Sequence, residues 1–190
     1  MSSCAKAALL LALAFATPAF SAETTLEGTM RALAAVPRSS ATFSEEKSIP
    51  ELSMPLPSTG TLSWTAPDQL EKHTTYPIDE TLRVRGDRLT LERPAQNMRR
   101  ELSLDESPEI RPMVEAIRST LAGDLATLRK YYDVSFGPAG EGWHMRLVPL
   151  SISIRAALQQ VDIHGHAAAV QRVETRGNDG ITRLLITPAP

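Results

Sequence analysis

The chain has 190 residues and a formal net charge of −2, with 20 Lys and Arg scattered among 22 Asp and Glu. That even mixture excludes the concentrated positive field of a nucleic-acid-binding protein, and the single cysteine, Cys4, excludes an internal disulfide. No stretch reaches the ~20 apolar residues that a helix needs to cross a bilayer.

In chain order, the first two dozen residues read as an export signal. Lys6 supplies positive charge, Ala7 to Ala16 form a short apolar run, and Ala19-Phe20-Ser21 places small residues where a signal peptidase reads them. Cleavage is expected after Ser21, or after Ala22, leaving residues 22–190 as a single exported domain without Cys4. Thr24-Thr25-Leu26-Glu27 then has the spacing of a helix capping box, and Leu26, Met30 and Leu33 recur at helical spacing until Pro37. From Ser39 the period changes to two. Leu62, Trp64 and Ala66 face one way and Thr61, Ser63 and Thr65 the other. Glu45-Glu46-Lys47 reads as a solvent-facing strand edge.

Leu82 to Leu91 is the clearest hairpin. With Gly86-Asp87 as a two-residue turn, Val84 lies opposite Leu89 and Leu82 opposite Leu91, while Arg83, Arg85, Arg88 and Thr90 take the other face. A helical insert follows, with Ser107 as cap and Pro108 at the first helical position, Pro112 able to delay or kink the start. Ile110, Met113, Val114, Ile117 and Leu121 form its apolar stripe. Gly123 ends it, and Asp124 caps a second helix through Leu125 and Leu128. Tyr132, Val134 and Phe136 alternate as a strand, and a loop over 137–142 leads to Trp143, Met145 and Leu147. Strands near 158–164, 168–176 and 181–187 finish the chain, with turns at Gly165 and Asn178-Asp179-Gly180. Many antiparallel strands interrupted by one helical insert predict an α+β fold, a strongly curved antiparallel sheet embracing helices.

Motifs for chemistry are sparse. His164 and His166 could share a strand face, but neither a His-Glu-x-x-His helix nor a carboxylate triad completes a metal site, and a turn at Gly165 would turn the two rings apart. No nucleophile elbow or phosphate-binding glycine loop is present, so neither catalysis nor a cofactor is expected.

The order of these elements resembles the periplasmic outer membrane lipoprotein carrier family, the LolA-like proteins, in a divergent branch. The residues that carry the resemblance are Phe43-Ser44-Glu45-Glu46-Lys47 after a first helix, Gly60-Thr61-Leu62-Ser63-Trp64-Thr65-Ala66-Pro67, the strand ending in Tyr76-Pro77, and the Gly86-Asp87 hairpin. The helical insert, Trp143 to Leu147-Val148-Pro149 and the Asn178-Asp179-Gly180 turn complete the set. The resemblance spans residues 23–187. It implies an incomplete β-barrel whose helices close an apolar cavity for the acyl chains of a lipoprotein or another amphiphile. It further implies a periplasmic monomer that takes cargo from a membrane-bound donor and passes it to an acceptor.

Leu62, Trp64, Leu82, Val84, Leu89, Leu91, Trp143, Met145 and Leu147 would face inward in any curved sheet. The resemblance makes them walls of a slot, with Met113, Val114, Ile117 and Leu121 as its lid; a module with a solid core is the alternative. Members of the well-studied branch carry an Arg soon after the proline of the Gly60–Pro67 strand, which helps hold the lid shut. Aligned on Pro67, that place is held by Glu71, or by Lys72 with a one-residue slip. Lid closure is therefore expected to rest on the apolar stripe.

Expression with export should yield a mature chain beginning at Ala22 or Glu23. N-terminal sequencing of periplasmic material checks this, and a soluble product that keeps Met1 would overturn it.

Overall fold

The computed structural model describes residues 24–189. The export signal and its cleavage site lie outside the described residues. Helix α1 spans Leu26–Ala34, and its cap is Thr25, whose Oγ1 accepts the Gly28 N–H at 3.1 Å. The expected box on Thr24 is thus displaced by one residue: Gly28, not Glu27, occupies the third helical position, so the reciprocal acidic contact is missing. Glu27 instead faces the positive end of the helix dipole.

Six strands follow: β1 (Arg38–Ser48), β2 (Leu56–Thr65), β3 (Gln69–Tyr76), β4 (Glu80–Arg85), β5 (Arg88–Arg93) and β6 (Met98–Ser103). Helices α2 (Arg111–Leu121) and α3 (Leu125–Tyr131) form the insert. Strands β7 (Tyr132–Ala139) and β8 (Gly142–Pro149), the short helix α4 (Ile152–Arg155), and strands β9 (Leu158–His166), β10 (Ala169–Gly177) and β11 (Gly180–Pro188) complete the chain. All eleven strands make one antiparallel sheet, in the order β6-β5-β4-β3-β2-β1-β11-β10-β9-β8-β7. The first strand is therefore the middle one, and it joins the two halves of the chain by pairing with β2 and β11. Glu45-Glu46-Lys47 lies in this central strand rather than on an edge, which corrects the sequence expectation.

The sheet is open and not strongly curled. The strong curvature expected from the sequence is to that extent corrected. Closure is opposed at β6, which carries Arg99, Arg100 and Glu101 exposed along its length; charged side chains on an edge strand resist further pairing.

Local chemistry accounts for the other elements. The Gly86-Asp87 turn forms as read, with Val84 paired to Leu89, Leu82 to Leu91, and Gly86 at φ 57°, a conformation that glycine adopts without penalty. Helix α2 begins at Arg111, later than Pro108, because the Ser107 carbonyl is taken by a turn to the Ile110 and Arg111 N–H groups. Pro112 then falls in the first helical turn, where its missing N–H costs nothing. Asp124 caps α3 by accepting the Thr127 N–H at 2.9 Å, and hydrogen bonding from the Thr127 side chain, then from its backbone, holds the carboxyl below the ordinary carboxylate range. The expected loop over 137–142 is mostly strand, since pairing runs out to Ala139 and Gly142 and only Gly140-Glu141 turns.

Gly165 is likewise not a turn. It sits within β9 opposite Trp143, and the chain reverses after His166 instead. A Cβ at Gly165 would lie 2.3 Å from the Trp143 ring and 2.4 Å from the Ala169 carbonyl oxygen. The glycine is there to admit the indole, whose Nε1–H donates to the Ala167 carbonyl at 3.0 Å.

Two buried clusters hold the helices to one face of the sheet. The larger joins Met30 and Leu33 of α1, Ala116 of α2 and Leu128 of α3 to Tyr132, Trp143, Met145, Leu147, Val161 and Ile163. The smaller joins Val84, Leu89 and Leu104, with Ile110 and Val114 packed against it. Because Trp143 is pinned in the larger cluster, Gly165→Ala should cost about 1–3 kcal/mol by overpacking. Gly137→Ala, whose Cβ would meet nothing within 4 Å, should change stability far less. Urea unfolding of both variants measures the difference.

Candidate functional site

Strand alternation places directly paired residues on the same face, so the helix-bearing wall can be read across the sheet. Trp64, Leu70, Val84 and Leu89 form one row and Leu62, Lys72, Leu82 and Leu91 the next. On the far side of β1, Leu184, Val173, Ile163 and Met145 form a third row. Between the rows and beneath α2 lies a half-open cavity of about 560 Å³, almost wholly apolar.

Of the residues expected to line a slot, Leu62, Trp64, Leu82, Val84 and Leu89 are on the cavity wall. Leu91 lies off it. Trp143, Met145 and Leu147 are not on the wall either; they are buried in the larger cluster that also holds residues of α1 and α3. Their place is taken by residues outside that expected set: Leu158, Val161 and Ile163 of β9, Val170 and Val173 of β10, and Leu184 and Ile186 of β11. The signal for them was present as alternation in the last three strands. What was missing was the sheet order that brings β11 beside β1. All four lid residues, Met113, Val114, Ile117 and Leu121, face the cavity, together with Ile110 and Leu33.

The insert is not held by its apolar stripe alone. Arg118 donates to the Gly86 carbonyl at the β4–β5 turn and to Glu115. Arg111 donates to Asp87 at 2.7 Å, to Asp105 at 2.5 Å and to the Leu104 carbonyl at 3.3 Å. Glu115, with its side chain only 5% exposed, also accepts from Ser119 at 2.8 Å. The stripe, expected to be the main hold, is supplemented: two arginines on α2 tie the helix to the Gly86-Asp87 turn. Sequence spacing alone cannot reveal such ties, since Arg118 and Gly86 meet only through the fold.

Glu71 points away from this lid. Its carboxylate accepts from Arg83 Nε at 2.6 Å on the opposite face, where Arg83 also reaches Glu92 at 2.5 Å and Arg99 reaches Glu92 at 2.7 Å. Lys72, one residue on, faces the cavity. Its Nζ is 2.6 Å from Glu45 Oε2 and 4.8 Å above the Phe43 ring, and Ser58 Oγ donates to Glu45 Oε1 at 3.0 Å.

The histidines are engaged elsewhere. His144 and His164 stack at 4.4 Å on the helix-free face, where His144 meets Asp162 at 2.6 Å and His164 meets Arg172 at 2.9 Å. Burial, then the Arg172 and His144 charges, lower the His164 pKa. Burial works to raise that of Asp162, but hydrogen bonds from Arg146, Gln160 and His144 outweigh it and hold the carboxyl low. His166 is exposed at the end of β9. Among the described residues, no group of three or more His, Cys, Asp or Glu is placed to hold a metal ion.

A sequence family described as outer membrane lipoprotein carrier protein LolA-like matches residues 17–189. No curated protein matches in sequence. Among solved structures, the chain is similar to a LolA superfamily protein from Nitrosomonas europaea, at 10% identity and TM-score 0.43, covering 85% of this chain and 89% of that one. It is also similar to an outer membrane lipoprotein-sorting protein domain from Vibrio parahaemolyticus, at 9% identity and TM-score 0.41, covering 87% and 92%. Both likenesses are distant.

The polar ties predict how firmly α2 is held. Arg118→Met keeps the apolar stem but removes hydrogen bonds between charged or polar groups worth about 1.5–3 kcal/mol, so amide exchange across 111–121 should quicken roughly tenfold or more while the central strands keep their protection. Glu71→Arg, on the other face, should leave α2 exchange unchanged. Hydrogen–deuterium exchange on both variants measures this; a uniform increase across the sheet would mean that Arg118 supports the whole fold instead of the lid.

Proposed function

Because the chain belongs to the LolA-like family of outer membrane lipoprotein carrier proteins, we propose that it is a non-catalytic periplasmic carrier. In this reading, the cavity under α2 shelters the acyl chains of a lipoprotein or a related amphiphile on its way toward the outer membrane. A membrane-bound donor would load it and an acceptor would empty it. The observation that carries the proposal is the apolar cavity itself, walled by both halves of the sheet and roofed by one helix.

Magnitudes favour an occupant. The volume of about 560 Å³ falls within the roughly 300–1,000 Å³ usual for small-molecule sites. A sealed empty void of that size would cost on the order of 13 kcal/mol, comparable to the whole stability of a domain. Such a space persists only if it opens to solvent or is filled. Each acyl methylene moved into it gains ~0.8 kcal/mol, so a dozen give roughly 10 kcal/mol before ordering costs. Release is helped by the same physics, because apolar contact has no preferred direction and a competing apolar surface can replace it.

The alternative, an assembly module with a solid core, makes the opposite prediction at Ala41, which lies on β1 at the cavity wall. Ala41→Trp should fill an open cavity, abolish uptake of the neutral probe N-phenylnaphthylamine and leave stability close to that of the parent. In a filled core the same change should cost about 1–3 kcal/mol by overpacking. Probe titration with urea unfolding separates the two, and native mass spectrometry of periplasmic protein should find a bound amphiphile.

A further inference from the structure

Lys72 is out of place on the wall that carries it. It pairs with Leu62 on one side and Leu82 on the other, within an apolar row. Among the described residues lining the cavity it is the single cation; the only other charged ones are Glu45 and Glu71, and Glu71 spends its carboxylate on Arg83 across the sheet. Placing a charge on an apolar wall is costly unless it is paired. Glu45 from the central strand supplies the pairing, and the Phe43 ring supplies a favourable surface for the ammonium. The pair is not sealed off, with side-chain exposures of 29% for Lys72 and 19% for Glu45.

Neither partner of the pair is saturated. Each oxygen of Glu45 already accepts a bond, one from Lys72 and the other from Ser58. The ammonium has three N–H donors, and among the described residues one hydrogen-bond partner, Glu45. Glu45 likewise keeps a second lone pair on each oxygen, but of the two partners the ammonium is the more exposed. A headgroup entering from the cavity therefore meets the ammonium first, and an anionic one takes its unused N–H groups without breaking the bond to Glu45.

We infer that Lys72 anchors an anionic oxygen headgroup, a carboxylate or a phosphate, carried by the acyl chain that occupies the cavity. The inference rests on the carrier reading above and specifies its ligand class. Glu45 keeps the lysine in place when the cavity is empty and remains beside it when loaded. The site has no net charge before the ligand arrives, so the headgroup adds selectivity to an affinity set mainly by the chain. An added charge-assisted bond gives a preference of about tenfold, equivalent to ~1.4 kcal/mol.

Displacement of N-phenylnaphthylamine by four amphiphiles of equal chain length tests this: myristate, tetradecyl phosphate, tetradecanol and tetradecyltrimethylammonium. The mature wild type should bind the two anions about tenfold more tightly than the alcohol or the cation. The order of myristate and tetradecyl phosphate then distinguishes a carboxylate from a phosphate source. Lys72→Gln should bring the anions to the level of tetradecanol without changing tetradecanol itself, and Lys72→Arg should keep the preference. Glu45→Gln combined with Lys72→Gln, which leaves no unpaired charge, should behave as Lys72→Gln does and guards against misfolding of the single variant. Equal binding of all four amphiphiles to the wild type, or a preference that survives in Lys72→Gln, overturns the headgroup assignment and leaves the cavity reading standing. If none of the four displaces the probe, both fall.

Discussion

One face of eleven strands has to be covered by very little helix, and most of the structure follows from that mismatch. Helices of nine, eleven and seven residues lie on the apolar face. At 1.5 Å per residue α2 is about 16 Å long, whereas eleven strands spaced ~4.8 Å apart extend about 48 Å. The helices therefore cannot pack densely everywhere. They choose the C-terminal strands, where Trp143, Met145 and Leu147 are buried among residues of α1 and α3. Between that solid region and the smaller cluster at Val84, Leu89 and Leu104 a gap is left, and the cavity occupies it.

The central position of β1 gives the gap its two walls. Because the N-terminal strand pairs with the C-terminal one, residues more than a hundred positions apart, such as Leu62 and Leu184, border the same cavity. The same strand brings Glu45 to the wall, where it can neutralise Lys72. An apolar surface thus carries one paired charge at a defined place. Such a wall can hold a chain by area and orient it by a single polar contact, a division of labour common in small-molecule sites.

Helix α2 answers two demands that pull in different directions. Its stripe must be apolar to roof the cavity, yet apolar contact alone leaves its position poorly defined. Arg111 and Arg118 supply the definition by bonding to the Gly86-Asp87 turn and to the Leu104 carbonyl. The buried Glu115 balances their charge; an ion network of this kind adds little net stability but is costly to break on one side only. The helix is tied by polar bonds near both of its ends and packed by apolar contact along its length.

Much of this was legible from the residues alone. Period-two alternation identified the strands and their inward faces, the Gly86-Asp87 turn set the register of its hairpin, and Asp124 marked the start of α3, because each is decided by neighbours in sequence. Errors arose where local cues were ambiguous or overruled. Thr24 and Thr25 compete for one cap, Gly165 reads as a turn but makes room for Trp143, and the glycines of 137–142 continue a strand because β8 pairs with them. Glu71 and Lys72 show the limit most clearly. Alignment could not choose between them, and a single step along a strand sends one side chain to the charged face and the other into the cavity. The sequence by itself determined which residues are apolar and at what period, and hence an antiparallel sheet with a helical insert. Only the tertiary structure decided which apolar residues fill a core and which line a cavity, because that depends on strand order and on where short helices come to rest, and neither is a property of neighbouring residues.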